Sequence, residues 1–272
     1  MFSEEQIERY SRHIILKEVG GKGQKRLLDG RILIIGAGAL GSPAALYLAA
    51  AGVGRIGIAD ADVVELSNLQ RQVIHHSADL GTPKVESAKR KMEAINPDVQ
   101  VIPHYTWIGA DNIIDIIREY DFVIDGTDNF AAKFLINDAC VMAGIPLSHA
   151  GVLHFIGQTI TILPGQSPCY RCVFPEPPQA GSIPTCSQAG VLGVLPGVIG
   201  TIQATEAIKY LLGVGDLLTG RMLVYDAEGL DFHVSPIAKK SECAVCGENP
   251  SITDLQVDPE AMNVCDLTTS EK

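Results

Sequence analysis

Basic residues are scarce in this chain. Its 272 residues hold 21 Lys and Arg against 32 Asp and Glu, a net charge of −11. Such a balance offers no basic face of the kind a non-specific nucleic-acid binder needs, and leaves protein and small-molecule partners open. The first residues, MFSEEQIERYSRH, lack the apolar run of a signal peptide. Residues 32–54 carry no charge, but Gly36, Gly38, Gly41 and Pro43 interrupt them. Strand, turn and helix is therefore a better reading of that stretch than a membrane span. The expectation is a cytoplasmic protein with no membrane and no nucleic-acid partner. Internal repeats and low-complexity segments are also absent. Cysteine is present in an odd number, seven, and four of these form two C-x-x-C pairs, which in an intracellular chain points to metal rather than disulfides.

What is present has a globular profile, 46% hydrophobic and 19% charged, with length for one large core or two small ones. Residues 4–19 read as a helix with apolar positions at Ile7, Tyr10, Ile14 and Ile15, ended by Gly20, Gly21 and Gly23 and followed by a short helical piece, QKRLLD. RILIIGAG is a buried strand running into a glycine turn, SPAALYLAAAGVG a helix and RIGIAD a second strand, together a βαβ unit. The alternation continues: a helix from Pro83 to Asn96, strand VQVIPHY, helix ADNIIDIIREY, strand DFVIDGTDN, helix FAAKFLINDACVMAG and strand PLSHAGV. It implies a mostly parallel sheet covered on both faces. After residue 151 the pattern changes to a hairpin arm, HFIGQTITILP, a Pro/Gly/Ser-rich loop over 164–190, an apolar stretch passing into the helix QATEAIKYLLG, and a hairpin, RMLVYDAEGLDFHVSPI. The fold class expected is α/β: a Rossmann-like, mostly parallel sheet flanked by helices, with an antiparallel C-terminal extension tied by a zinc site. Residues 1–247 are expected to form one domain, with a nucleotide-binding half to residue 150 and a second half over 151–247. The polar tail over 248–272 is expected to be poorly ordered.

Gly36-Ala-Gly38-Ala-Leu-Gly41 follows a buried strand and opens a helix, and Asp60 lies 19 residues beyond Gly41. Glycines allow the tight turn and a close approach to phosphate, the helix start offers free N–H groups, and Asp60 can accept ribose hydroxyls. Taken alone this fits an NAD-dependent oxidoreductase, or a tight turn with no ligand. Asn68, Gln70, Arg71 and Lys84 lie just past Asp60, and hydride transfer needs no such density of amide and cationic donors. A triphosphate does. Separately, Arg71 and Lys84 also fit a solvated helix face. Asp128, past the strand end in Asp125-Gly-Thr-Asp128-Asn129, is placed for Mg²⁺ beside phosphates, while Thr127, Asp128 and Asn129 also suit helix capping.

Cys169-Tyr-Arg-Cys172 and Cys243-Ala-Val-Cys246 offer four thiolates in two knuckles, a donor set for tetrahedral, structural Zn²⁺. A redox dithiol is the competing reading. Cys140 reads as core. Cys186, in the Pro- and Gly-rich loop, is either a nucleophile or an incidental loop thiol, with His149, His154 and His233 as the possible bases.

Taken in order, RYSRHIIL, G-A-G-A-L-G, SNLQRQ, PKVESA, TDN, CYRC, Thr185-Cys186, GVIGTIQATEAIK and CAVCG resemble the ThiF/MoeB/HesA family, the bacterial relatives of ubiquitin-activating enzymes. The resemblance covers the chain up to its tail. It implies ATP-dependent adenylation of the C-terminal glycine of a ubiquitin-like sulfur carrier of ThiS or MoaD type, which primes a thiocarboxylate for thiamine or molybdopterin biosynthesis. By resemblance, the glycine turn (Gly36, Gly38, Ala39, Gly41) and Asp60 hold adenosine, and Asn68, Arg71 and Lys84 hold the phosphates. Asp62, Ser67, Gln70 and Asn129 complete the nucleotide site, and Asp128 binds Mg²⁺. The family is homodimeric, and Arg12 would reach the partner's ATP site. Ala39 departs from the family's usual glycine, and its methyl group fits only if φ there is negative. No rhodanese-like extension follows the CAVCG knuckle, so a separate sulfur donor is expected. Besides the oxidoreductase, a non-catalytic scaffold binding a ubiquitin-like protein competes with this reading.

Overall fold

In a computed structural model, which describes residues 2–178 and 189–255, eight strands form a single sheet in the order β3-β2-β1-β4-β5-β6-β7-β8. The parallel part consists of β1 (Arg31–Ile35), β2 (Arg55–Ala59), β3 (Gln100–His104), β4 (Phe122–Asp125) and the start of β5 (Leu147–Leu153). From there β6 (Ile156–Ile162), β7 (Arg221–Asp226) and β8 (Asp231–Pro236) continue it antiparallel. The change of composition near residue 151 is thus not a break between two sheets: β5 spans it and pairs on both sides.

Strands β1 and β4 are apolar along almost their whole length because helices cover both faces. On one face α4 (Gly41–Ala51), α5 (Lys84–Ile95) and α9 (Leu195–Leu212) pack over Ile32, Ile34, Ile56 and Phe122. On the other, α6 (Ile113–Ile117) and α7 (Phe130–Ala143) pack over Leu33, Val123 and Leu147, and the single turn α8 (Tyr170–Val173) sets Tyr170 against Phe134 of α7. The crossing of α9 over α4 is close because Gly200 has no side chain: a Cβ there would stand 2.3 Å from Leu40 O. Pro196 lies in the first turn of α9, which begins well before the expected QATEAIKYLLG. Cys140 is fully buried in α7, as a core residue.

The N-terminus differs from expectation. Instead of one helix over 4–19 there are two short ones, α1 (Glu4–Arg9) and α2 (Ser11–Ile14), broken at Tyr10. Tyr10 alone of the expected apolar face is buried. Its ring fills the space beside Gly52 and its hydroxyl accepts from Asn96 Nδ2 at 2.8 Å, while Ile7 and Ile15 stay exposed. Gly20, Gly21 and Gly23 do not end a helix but begin one, α3 (Gly20–Asp29). Gly23 sits there because a Cβ would press on Val19 and Leu212 at 3.0–3.1 Å. The helix expected over ADNIIDIIREY shortens to the five residues of α6.

Candidate functional site

Strand order reverses between β1 and β4, so the crevice beyond their carboxyl ends is where a doubly wound sheet takes its ligand. The glycine turn lies there. Gly36 has φ +98, and a Cβ on it would stand 2.8 Å from Gly126 O. Gly41 is tighter still, since its Cβ would stand 1.9 Å from Gly36 O. A Cβ on Gly38 would be in ordinary contact with Gln72 Nε2 alone, at 3.8 Å. Ala39 is outside the positive-φ residues, so its methyl group is accommodated without strain. No side chain caps the first turn of α4; Ser42 N donates to Gly38 O at 2.9 Å and Pro43 has no N–H, so Gly41 N is the first-turn donor left for an anion. Gly41→Ala is expected to destabilise the chain by about 3 kcal/mol and to remove nucleotide binding. Thermal unfolding and ATP titration check both; an unaltered melting point would mean that the turn is not packed as described.

Ala37, between the glycines, is clamped from both sides. Its N–H donates to Asp60 Oδ2 at 2.8 Å, and its carbonyl meets His75 Nε2 at 2.9 Å. Asp60 also accepts from Asp62 N at 2.8 Å. Both carboxylate oxygens therefore order the turns, and lone pairs remain for ribose hydroxyls. Burial pushes the Asp60 carboxyl up, against the nearby Lys84 charge. His75 bonds Ser87 Oγ through Nδ1 at 2.9 Å, and burial pushes its ring pKa down. It acts as a neutral strut between α5 and the glycine turn. The sequence reading passed over it.

The polar cluster folds back over this turn. Asn68 is buried and its Oδ1 accepts from Glu65 N at 3.1 Å, while Ser67 stays exposed. Arg71 Nη1 donates to Ser67 O at 3.0 Å, and among the described residues no carboxylate pairs with it. Gln70 is drawn the other way, with its carbonyl and side chain against Gly193. Lys84 is 6% exposed at the first position of α5, where the helix dipole already adds positive potential. A lysine is costly there unless an anion answers it. In this structure Asp62 does, at 2.6 Å.

Across the crevice, Asp128 is exposed and makes no side-chain hydrogen bond among the described residues. Asn129 takes the capping role: its Oδ1 accepts from Ala132 N at 2.8 Å at the start of α7. Below them lies a buried cluster that the sequence did not reveal. Asp125, at the end of β4, has Lys133 Nζ at 3.3 Å and His149 Nδ1 at 2.7 Å. Arg12 is exposed on α2 with no ion-pair partner among the described residues, beside exposed Ile15 and Leu16.

The two knuckles meet behind the sheet. Sγ atoms of Cys169, Cys172, Cys243 and Cys246 all lie within 4.8 Å of one another. Cys169–Cys243 and Cys172–Cys246 are separated by 3.6 and 3.4 Å, too far for disulfides. Four sulfurs about 2.3 Å from one zinc stand about 3.8 Å apart, so the thiol set fits that ion and closes its coordination. Cys186, with Ser182 and Thr185 of its loop, lies outside the described residues, as do Cys265 and the tail from 256. Of the bases considered for Cys186, His149 is buried against Asp125, and His233 is exposed on β8. His154 occupies the β5–β6 turn with φ +53. Among the described residues no helix is long and apolar enough to cross a membrane.

The ThiF family model matches residues 10–245. The SAMP-activating enzyme E1 of Haloferax volcanii is 50% identical over 252 residues, covering 92% of this chain and 93% of that protein. The sulfur carrier protein adenylyltransferase of Thermus thermophilus is 43% identical over 265 residues, covering 96% and 97%. The adenylyltransferase and sulfurtransferase MOCS3 of Aedes aegypti is 44% identical over 268 residues, and this chain spans 61% of its length. Among solved structures, E. coli MccB with MccA-N7isoASN shares the fold at a TM-score of 0.76 and 23% identity, over 88% of this chain and 75% of that one.

Proposed function

The chain belongs to the ThiF family, and on that footing we propose that it adenylates the C-terminal glycine of a ubiquitin-like sulfur carrier with ATP, releasing pyrophosphate. The observation that carries this reading is the pairing of the tight glycine turn at Gly36 and Gly41 with two cations just beyond Asp60, Arg71 and Lys84. A hydride-transfer site has no use for them.

The carrier's terminal carboxylate is ionised at neutral pH, so its attack on the α-phosphorus needs no general base. One P–O bond forms to the carboxylate oxygen and the bond to pyrophosphate breaks. Catalysis is then positioning and charge stabilisation. The glycine turn and Asp60 hold the nucleoside end. Arg71 and Lys84 neutralise the leaving pyrophosphate, and Lys84 exchanges Asp62 for phosphate oxygens as ATP enters. The Asp128 carboxylate, exposed at the sheet's carboxyl edge, suits Mg²⁺, which supplies further charge neutralisation on the phosphates. Unpaired Arg12 and its exposed apolar neighbours support a homodimer in which Arg12 completes the partner's site. Sulfur delivered to the acyl-adenylate then displaces AMP.

Pyrophosphate exchange into ATP, run with a thiamine-pathway and with a molybdopterin-pathway carrier, tests the reaction and identifies the carrier. Exchange with neither, in zinc-loaded protein that binds ATP, would favour a scaffold that binds a ubiquitin-like protein without turnover. Cys186→Ala is expected to retain exchange within about threefold, since positioned charge rather than covalent chemistry drives the step. Loss of exchange in a folded, zinc-replete variant would place that thiol in adenylation.

A further inference from the structure

We infer that Asp125 is a positioning residue for this reaction: paired from below with Lys133 and packed against His149, it fixes the turn that presents Asp128 to the nucleotide's metal. The inference rests on the adenylation reading for its purpose, but its geometry stands independently.

The Asp125 side chain is fully buried, and Lys133 is 7% exposed. A buried ion pair is a poor way to stabilise a core, because removing both charges from water costs several kcal/mol per ion. Apolar residues would serve better unless the charge has work to do. Here the work is visible in the second carboxylate oxygen. Oδ1 accepts from Thr127 N at 3.0 Å and from Thr127 Oγ1 at 2.6 Å, closing an Asx-type turn over Asp125-Gly126-Thr127. Oδ2 faces Lys133 Nζ at 3.3 Å and His149 Nδ1 at 2.7 Å. Lys133 is itself fixed by Ala150 O at 2.5 Å. Burial would push the Asp125 carboxyl up, but Lys133, His149 and the Thr127 bonds outweigh it and keep the group ionised.

The turn so fixed touches both halves of the site. Gly126 N donates to Ile35 O at 2.8 Å, and a Cβ on Gly126 would stand 3.1 Å from Gly36 O and from Gly41 N. The next residue after Thr127 is Asp128, whose side chain has no hydrogen bond of its own among the described residues. Its direction is therefore inherited from the turn. On the far side, the Tyr170 ring lies 3.9 Å from the His149 ring, which keeps the imidazole against Asp125.

The test replaces the charge and the hydroxyl separately. Asp125→Asn keeps an oxygen for Thr127 but turns an amide toward Lys133. Half-saturating Mg²⁺ in the exchange reaction is expected to rise at least about tenfold, as for other losses behind a metal ligand. Mn²⁺ binding to the enzyme–ATP complex, read by electron paramagnetic resonance, is expected to weaken in parallel. Thr127→Val, which removes one half-buried hydroxyl, should shift both in the same direction with an unaltered melting temperature. Lys133→Arg should stay near wild type, and Lys133→Met should behave as Asp125→Asn. If Asp125→Asn and Thr127→Val change only melting temperature or active fraction, with Mg²⁺ and Mn²⁺ dependence unmoved, Asp125 is packing and the inference fails. A wild type silent in exchange with every carrier sinks the adenylation reading, yet the Mn²⁺ measurement still decides on Asp125. A wild type that binds no Mn²⁺ with ATP overturns both.

Discussion

Arg71→Ala and Asp128→Ala are each expected to lower carrier-dependent pyrophosphate exchange by at least about a thousandfold, while melting temperature, zinc content and oligomeric state stay at wild-type values. The separation follows from their surroundings. Arg71 donates only to the Ser67 carbonyl, at 3.0 Å, and pairs with no carboxylate among the described residues. Removing it leaves no buried charge uncompensated. Asp128 is exposed and bonds to nothing through its side chain among the described residues. Substitutions of this kind shift stability by about 0.5 kcal/mol or less. Lys84→Ala provides the contrast. Lys84 is buried and paired with Asp62 at 2.6 Å, so exchange and stability should fall together. An Asp128→Ala enzyme with substantial exchange would remove Asp128 from the reaction, and with it the purpose assigned to Asp125. An Arg71→Ala enzyme that exchanges normally but melts early would make Arg71 a structural residue and remove it from the reaction.

The parts of this site that were legible in the sequence are those carried by local pattern. Gly36 to Gly41 sits between a buried strand and a helix, and Gly41 answers to a contact within the turn itself: a Cβ on it would strike Gly36 O. The knuckles were legible because C-x-x-C spacing is itself the ligand geometry. What spacing could not supply was the join between the two pairs, which comes from the length of the antiparallel extension and places Cys169 beside Cys243 at 3.6 Å.

The Asp125, Lys133 and His149 cluster was illegible for the same reason in reverse. Its members come from β4, α7 and β5 and share no local period. Lys133 sits in FAAKF, where a lysine ordinarily marks a solvent face, and only the packing of α7 on the sheet turns it inward to 7% exposure. His75 was missed because its partners, Ala37 and Ser87, lie 38 and 12 residues away. The N-terminal segment reads as one helix because its apolar residues keep a helical spacing, which does not reveal the break at Tyr10. Ile15 is 71% exposed, and a spacing cannot distinguish a face buried within the chain from one left for a partner.

Removing the zinc set should have the second large effect, on stability rather than chemistry. Cys243→Ser or Cys246→Ser is expected to lower zinc from one per chain to none and the melting temperature by about 10 °C. The magnitude follows from two limits. A four-thiolate zinc site supplies about 10–16 kcal/mol when folding and binding are one event. Here they are separate, because β6 and β7 are held by their own ladder rather than by the knuckles. Loss is capped by the cost of detaching the two knuckles, about 5 kcal/mol, and at about 2 °C per kcal/mol for a chain of this size that gives the expected shift. The effect should then spread inward. The Cys169 knuckle carries Tyr170, whose ring packs on His149 at 3.9 Å, and His149 faces Asp125. Zinc-free protein should therefore require more Mg²⁺ for exchange at temperatures where it is still folded. Zinc content by mass spectrometry, calorimetry and a Mg²⁺ titration of exchange measure the three consequences. A cysteine variant that holds no zinc yet melts as wild type would show that the knuckles are tied by packing alone. One that melts early with unchanged Mg²⁺ dependence would separate the zinc site from the Asp125 turn.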